Sequence, residues 1–158
     1  MNIIGIDPGA HGAIAVLSFG VLVDVFDMPI DIVKVGKTER ARVSAAALAE
    51  LLRSIGVTHA FIEQVGPTPH DGPAHAFAFG RAAGLPEMGC ATLGIPYTFV
   101  TPQEWKKGVR CPADKDAATK RASQLFPADA KKFYGPRGGR LDGRAEAAMI
   151  AYYGTGLT

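Results

Sequence analysis

Four acidic residues lie where rigid secondary structure could bring their carboxylates together. Asp7 and Glu63 each end an apolar run, as expected at the ends of two buried strands. Asp142 and Glu146 are four residues apart, a spacing that puts both on one face of a helix. Carboxylate oxygens suit Mg²⁺ or Mn²⁺, and a pair of such ions can promote phosphodiester hydrolysis. The pattern predicts a site for two divalent cations.

Each of these acidic residues also has a simpler interpretation. Asp7 precedes Pro8 and Gly9, so it could open a turn. Asp142 could cap a helix, although position 145 is Ala instead of the Glu or Gln of a capping box. Glu63 indicates a functional role even on its own, because a carboxylate that ends a buried strand costs folding free energy unless it is paired or metal-bound. Taken together, the four residues favour the metal site.

Other catalytic chemistries find little support in the sequence. Cys90 and Cys111 have neither metal-ligand spacing nor the density of a disulfide framework, and the four histidines are scattered. A zinc site is therefore not expected. The sequence shows no Ser-His-Asp order, no nucleophile elbow and no Walker-type phosphate loop.

Hydrophobic spacing and turn residues predict the elements that must position the carboxylates. Strands are expected at residues 3–7, 13–19, 21–26, 58–63 and 97–100. Helices are expected at residues 44–55, 73–92, from 101 onward, 114–126 and 142–153. Residues 28–40 and 127–140 are expected to be connections without regular structure. Gly80 and Gly84 give the second helix a small-residue face, which is expected to pack on the domain's own sheet or, alternatively, to form a dimer interface.

These elements predict an α/β fold in one domain, residues 1–158. The first three strands should be antiparallel, and alternating α and β elements should complete a five-stranded mixed sheet flanked by helices. The chain has 158 residues and 47% hydrophobic content, enough for one ordinary core. No signal peptide or membrane-spanning run is visible, so a cytoplasmic location without a membrane partner is expected.

The basic residues are concentrated in one part of the chain. Residues 101–140 carry 10 Lys and Arg against 4 Asp and Glu, a net charge of +6. Such a stretch beside an acidic cluster suits a polyanion that is held by one surface and cut at another. The alternative is that these side chains only solubilise helix surfaces.

Short motifs along the chain share their order with a known family. They are Ile6-Asp-Pro-Gly9, Phe61-Ile-Glu-Gln64, Phe79-Gly-Arg-Ala82, Val100…Trp105-Lys106, Lys115-Asp116 and Asp142…Glu146…Ala151. This set resembles the RuvC-type Holliday junction resolvases of the RNase H-like superfamily, and it is closer to phage members than to the bacterial enzyme. The resemblance implies an RNase H-like fold and a homodimer that nicks a four-way DNA junction symmetrically.

The resemblance also implies roles for single residues. Asp7, Glu63, Asp142 and Glu146 would be the ligands of two Mg²⁺ ions, with Mn²⁺ as a substitute, and Lys115 would act near the scissile phosphate. The expected DNA contacts are Lys106, Lys107, Arg110, Lys115, Arg137 and Arg140. Two features depart from the bacterial pattern: the last two acids are four residues apart instead of three, and Gly66 stands where an aromatic wedge is expected.

Two other functions remain as alternatives at the level of sequence. An RNA-processing nuclease of the YqgF-like group would share the fold and the acidic residues. A degenerate relative could bind branched DNA without cutting it, although four carboxylates facing a polyanion argue against that hypothesis.

Overall fold

The computed structural model describes residues 1–114 and 116–158. Its seven strands within these ranges are β1 Asn2–Asp7, β2 Ala13–Ser18, β3 Val21–Asp27, β4 Ile30–Val35, β5 Thr38–Val43, β6 His59–Glu63 and β7 Tyr97–Val100. Its helices are α1 Ala45–Ile55, α2 Pro73–Thr92, α3 Pro102–Gly108, α4 Ala117–Leu125, a 3₁₀ helix at Pro127–Phe133, and α5 Asp142–Thr155. None of these helices is long and apolar enough to cross a membrane.

Five of the strands form one mixed sheet, in the order β3-β2-β1-β6-β7. The first three are antiparallel, and β1, β6 and β7 run parallel to one another. The predicted fold class is therefore confirmed. Because β1 and β6 are parallel neighbours, their carboxyl ends lie at the same edge of the sheet.

The prediction of a loop at residues 28–40 is wrong, because β4 and β5 form a separate antiparallel hairpin there. Its cross-strand pairs include Ile32 with Ala41 and Lys34 with Glu39. Gly36 supplies the left-handed backbone at the turn, with φ of 63°. The hairpin is held by backbone pairing and is largely exposed, so it lacks the buried alternating face by which a strand is recognised.

The predicted helices are present, with some changes at their ends. The bounds of α2 agree with the prediction, and α1 ends at Gly56 in the left-handed conformation expected of a C-cap. Helix α4 begins at Ala117, three residues later than predicted. The 127–140 connection contains the 3₁₀ helix, which was not predicted.

The small-residue face of α2 does not pack on the sheet. Gly80 and Gly84 are exposed, and a Cβ atom added at either would meet nothing within 4 Å. Phe77 and Met88 lie on the same face at helical spacing and are 78% and 64% exposed. The expectation that this face packs within the domain is therefore wrong.

Helix α5 packs directly across β1, and this contact positions the C-terminal acidic residues. A Cβ atom at Gly5 of β1 would collide with the backbone of Ala147 and Ala151, so the helix approaches as closely as glycine permits. Met149 and Ile150 are fully buried in the same core. Each such side chain contributes about 1.5–3 kcal/mol of burial free energy, so α5 is held firmly against the sheet.

Candidate active site

The carboxyl ends of β1 and β6 bring Asp7 and Glu63 side by side. Ile6 pairs with Ile62 in parallel register, and the two acids are the next residues on their strands. Neighbouring strands are about 4.8 Å apart. Glu63 is buried, with 9% of its surface exposed. Two acidic residues from distant parts of the chain therefore share one edge of the sheet.

The N-terminal turns of α5 add Glu146 to this edge. A Cβ atom at Gly143 would lie 3.2 Å from Oδ2 of Asp7 and would collide with the carbonyl of His11, so glycine permits the close approach. The negative charge of Glu146 raises the pKa of Asp7, and Glu63 likewise raises the pKa of Glu146. The three carboxylates form one electrostatically coupled cluster, called the acidic cluster below.

Burial and mutual repulsion both oppose ionisation of the acidic cluster. The pKa of Asp7 lies well above its usual range because the group is buried and because Glu146 and Glu63 are near. The pKa of Glu146 rises to about 7, first through burial and then through the charge of Glu63. Burial also raises the pKa of Glu63. Additional positive charge at this edge would relieve the repulsion.

Helix α3 supplies two partners for the acidic cluster. The buried indole of Trp105 donates a hydrogen bond of 2.8 Å from Nε1 to Oε1 of Glu63, which lowers the pKa of that carboxyl against the effect of burial. Nζ of Lys106 lies 3.9 Å from Oε1 of Glu146 and 5.2 Å from the centre of the Trp105 ring. Its charge lowers the pKa of all three acids of the cluster.

The contact of Trp105 with Glu63 was not predicted. Trp105 is the single tryptophan of the chain and lies next to a lysine, but neither fact indicates which group its N–H faces. The helix itself was predicted correctly, and Thr101 and Glu104 form a capping box at its start.

Asp142 lies at the start of α5 and faces different partners. Its Oδ1 accepts a hydrogen bond of 2.8 Å from Oγ1 of the buried Thr119 and lies 3.7 Å from Nε of Arg140. The N-cap of α5 is Leu141, without a side-chain cap, so the interpretation of Asp142 as a cap is wrong. Asp142 still raises the pKa of Glu146, which couples it to the acidic cluster. No sequence pattern indicated Thr119.

The basic residues expected to contact DNA have different surroundings. Lys106 lies at the acidic cluster, as described above, and Arg140 is paired with Asp116 as well as approaching Asp142. Lys107, Arg110 and Arg137 are exposed, as is the paired Arg140. Lys115 lies outside the described residues.

The chemistry of the acidic cluster fits a hard divalent cation. Within residues 1–114 and 116–158, no group of three or more Asp, Glu, His or Cys side chains is placed to hold a metal ion. The cluster nevertheless offers buried and half-buried oxygen donors whose charges repel one another, and the cation Lys106 lies beside them. Hard oxygen donors of this kind suit Mg²⁺ and Mn²⁺ better than zinc.

Comparisons with known proteins identify the fold. No protein-family model and no curated protein sequence matches the chain. Among solved structures, RuvC of T. thermophilus in complex with a Holliday junction substrate matches with a TM-score of 0.64 at 18% identity, covering 97% of this chain and 92% of that one. A second Thermus thermophilus RuvC structure matches with a TM-score of 0.60 at 17% identity, covering 100% of this chain and 98% of that one. The chain therefore has the RuvC-type, RNase H-like fold.

Proposed function

We propose that the chain is a metal-dependent endonuclease that cuts four-way DNA junctions. The observation that carries the proposal is the convergence of Asp7, Glu63 and Glu146 at one edge of a RuvC-type sheet. The similarity to a RuvC bound to a Holliday junction substrate supports branched DNA as the substrate. The reaction is hydrolysis: a bond forms between water oxygen and phosphorus while the bond from phosphorus to the 3′ oxygen breaks. The products are a 5′-phosphate and a 3′-hydroxyl.

Asp7, Glu63, Asp142 and Glu146 would hold the cations, two Mg²⁺ ions or Mn²⁺ in their place. When bound, such ions supply a more acidic water and stabilise negative charge on the phosphate. The buried donors Trp105 and Thr119 each engage one oxygen of a carboxylate, Glu63 and Asp142 respectively. Each bond fixes its carboxylate's orientation and engages one of its two oxygens, so the other oxygen would serve a cation.

Positive side chains near the acidic cluster would hold the DNA backbone. Lys106 adjoins Glu146 and is positioned to contact a phosphate close to the cut. Lys115 is proposed for the same task on the resemblance to resolvases. Lys107, Arg110 and Arg137 would make sequence-independent contacts farther away, and Arg140 would do so if released from Asp116.

Symmetric nicking of a junction requires two active sites, so we propose a homodimer. The α2 face formed by Phe77, Gly80, Gly84 and Met88 supports this, because an exposed apolar face with small residues allows two helices to approach closely.

Two substitutions test the proposed dimer. Gly84→Arg should yield monomers that remain folded, since a side chain at position 84 meets open space. Ala47→Arg, at an exposed position of α1, should leave the dimer intact. Sedimentation velocity measures both, and a monomeric parent chain would contradict the proposal.

A cleavage panel tests the proposed activity. The parent chain should nick a synthetic four-way junction symmetrically in Mg²⁺, but not after chelation, and should act poorly on duplex DNA or structured RNA. Glu63→Gln should retain junction binding and lose cleavage by at least about a hundredfold. The matched control is Glu50→Gln on the surface of α1, which should cut normally. Normal cleavage by Glu63→Gln, or a preference for RNA, would refute the proposal.

A further inference from the structure

An open apolar cavity of about 680 Å³ lies between the 3₁₀ helix, the 134–140 loop and the start of α5. Its walls include Ala130, Tyr134, Pro136 and Leu141, and two cations, Lys131 and Arg144, border it. Sites for small organic groups have volumes of roughly 300–1,000 Å³ and are mostly apolar with a few polar groups. The cavity therefore suits a flat heterocycle attached to an anionic chain.

The backbone around the cavity holds Tyr134 in place before any ligand arrives. Phe133, the preceding residue, is fully buried, and Tyr134 pairs with Arg140 across the loop. A hydrogen bond of 2.7 Å from the N–H of Gly135 to the carbonyl of Gly139 closes the loop. Tyr134 itself is 37% exposed. An aromatic ring is thus presented to solvent on a rigid support.

Arg144 also lines the cavity. Its Nε and Nη2 donate hydrogen bonds of 2.6 and 2.7 Å to the two carboxylate oxygens of Asp27, and Nη1 donates to the carbonyl of Lys132 at 3.2 Å. These bonds fix the position of the guanidinium, and the carboxylate of Asp27 offsets its positive charge. It is therefore suited to stacking, whereas the exposed Lys131 at the border is suited to a phosphate.

The cavity lies near the acidic edge of the sheet, although none of the acidic residues lines it. Leu141 in its wall directly precedes Asp142. Asp27, the partner of Arg144, pairs with Ala13, which pairs with Asp7. Asp27 and Asp7 are thus two strand spacings apart, which is about 10 Å. This distance corresponds to roughly three stacked nucleotides at 3.4 Å each. A strand bound at the acidic cluster would pass the cavity within a few nucleotides.

We propose that this cavity binds one unpaired nucleobase of the DNA strand that lies across the acidic cluster. The inference rests on the proposed function. A base within a duplex is stacked on both faces and must be unpaired and unstacked before it can enter. A strand that is already unpaired at a branch point therefore fills the cavity at the lowest cost. The base would stack on Tyr134, and Lys131 and Arg137 would hold the flanking phosphates.

Single abasic sites test the proposal through a thermodynamic cycle. Binding is measured in a Glu63→Gln background, with junctions that lack one base at successive positions on either side of the crossover. At one position the missing base should weaken binding about tenfold, a change of about 1.4 kcal/mol, as expected for loss of base–aromatic stacking. In Tyr134→Ala, which lacks the ring, the same missing base should not weaken binding. In Tyr134→Phe, which keeps the ring, the same missing base should still weaken binding about tenfold.

Two outcomes would overturn the base-binding cavity. The first is equal sensitivity of Tyr134→Ala and Tyr134→Phe to every abasic position. The second is a change of oligomeric state in Tyr134→Ala while the effect of each missing base stays the same as in the parent. This result would assign the cavity to an interface between copies of the chain. A separate measurement compares binding of the parent chain to a junction and to a duplex. If the parent does not prefer the junction, the proposed function is overturned. If it does prefer the junction but the effect of the missing base does not depend on the ring of Tyr134, only the role of the cavity is overturned.

Discussion

The indole N–H of Trp105 donates a hydrogen bond of 2.8 Å to Oε1 of Glu63, and both side chains are buried. The two residues are 42 positions apart, one in α3 and one at the end of β6. A buried carboxylate that accepts one fixed hydrogen bond keeps a defined orientation, because the alternative is an unsatisfied polar group. The bond therefore connects the packing of α3 to the geometry of the acidic cluster.

Trp105→Phe should preserve most of this packing and remove the donor. We expect junction binding to change less than threefold and the cleavage rate to fall about 10- to 100-fold, because Glu63 loses its fixed orientation. Stability should fall by about 1–3 kcal/mol. Cleavage assays and urea unfolding measure these effects. Tyr97→Phe, which removes the exposed hydrogen bond of 3.3 Å to Glu87, is the control; equal losses in both variants would contradict the role of Trp105.

Glu146→Gln should stabilise the metal-free protein at neutral pH. Folded Glu146 keeps its proton up to about pH 7, whereas an ordinary Glu releases it near 4.5. The folded chain therefore binds more protons between these values, and its stability falls as the pH rises through that window. The substitution removes this loss, so its advantage over the parent should grow from pH 4.5 to 7, reaching up to about 3 kcal/mol.

Urea unfolding at several pH values measures the advantage of Glu146→Gln. Glu50→Gln, on the exposed surface of α1, should show no such pH dependence. Mg²⁺ should raise the melting temperature of the parent at pH 7 and raise that of Glu146→Gln much less. A constant difference between parent and Glu146→Gln from pH 4.5 to 7 would contradict the assigned electrostatics.

Lys106→Met should raise the pKa of Glu146 above about 7, because the charge of Lys106 lowers the pKa of every acid in the cluster. Carboxyl NMR titration of the metal-free protein measures this shift directly. Lys107→Met is the matched control, since Lys107 is exposed on the next position of the same helix. The same shift in both variants would show that overall charge matters and that the contact of Lys106 with Glu146 does not.

Gly143→Ala should move α5 away from Asp7. The added methyl would collide with the carbonyl of His11 and approach Oδ2 of Asp7 to 3.2 Å. We expect a loss of about 1–3 kcal/mol in stability and a strong loss of cleavage. Gly139→Ala in the nearby loop, where a methyl meets nothing within 4 Å, should be nearly neutral. Thermal unfolding and junction cleavage compare the two, and normal behaviour of Gly143→Ala would refute the close approach.

The sequence by itself determined the elements whose signals are local. Residues 3–7 and 58–63 read as buried strands that end in Asp7 and Glu63, and the Thr101 capping box marks the start of α3. The five-stranded mixed sheet follows from the order of these elements. Such signals depend on neighbours within a few positions, so they are visible without knowledge of the fold.

Tertiary structure alone decided which groups surround each acidic residue. The packing of α3, α4 and α5 on the sheet sets these contacts. It places the donors Trp105 and Thr119, pairs Arg140 with Asp116, and brings Gly143 close to Asp7. The β4–β5 hairpin also escaped prediction, because its strands are stabilised by each other's backbone and not by a buried face. Contacts between residues distant in the chain are set by packing, which no local pattern encodes.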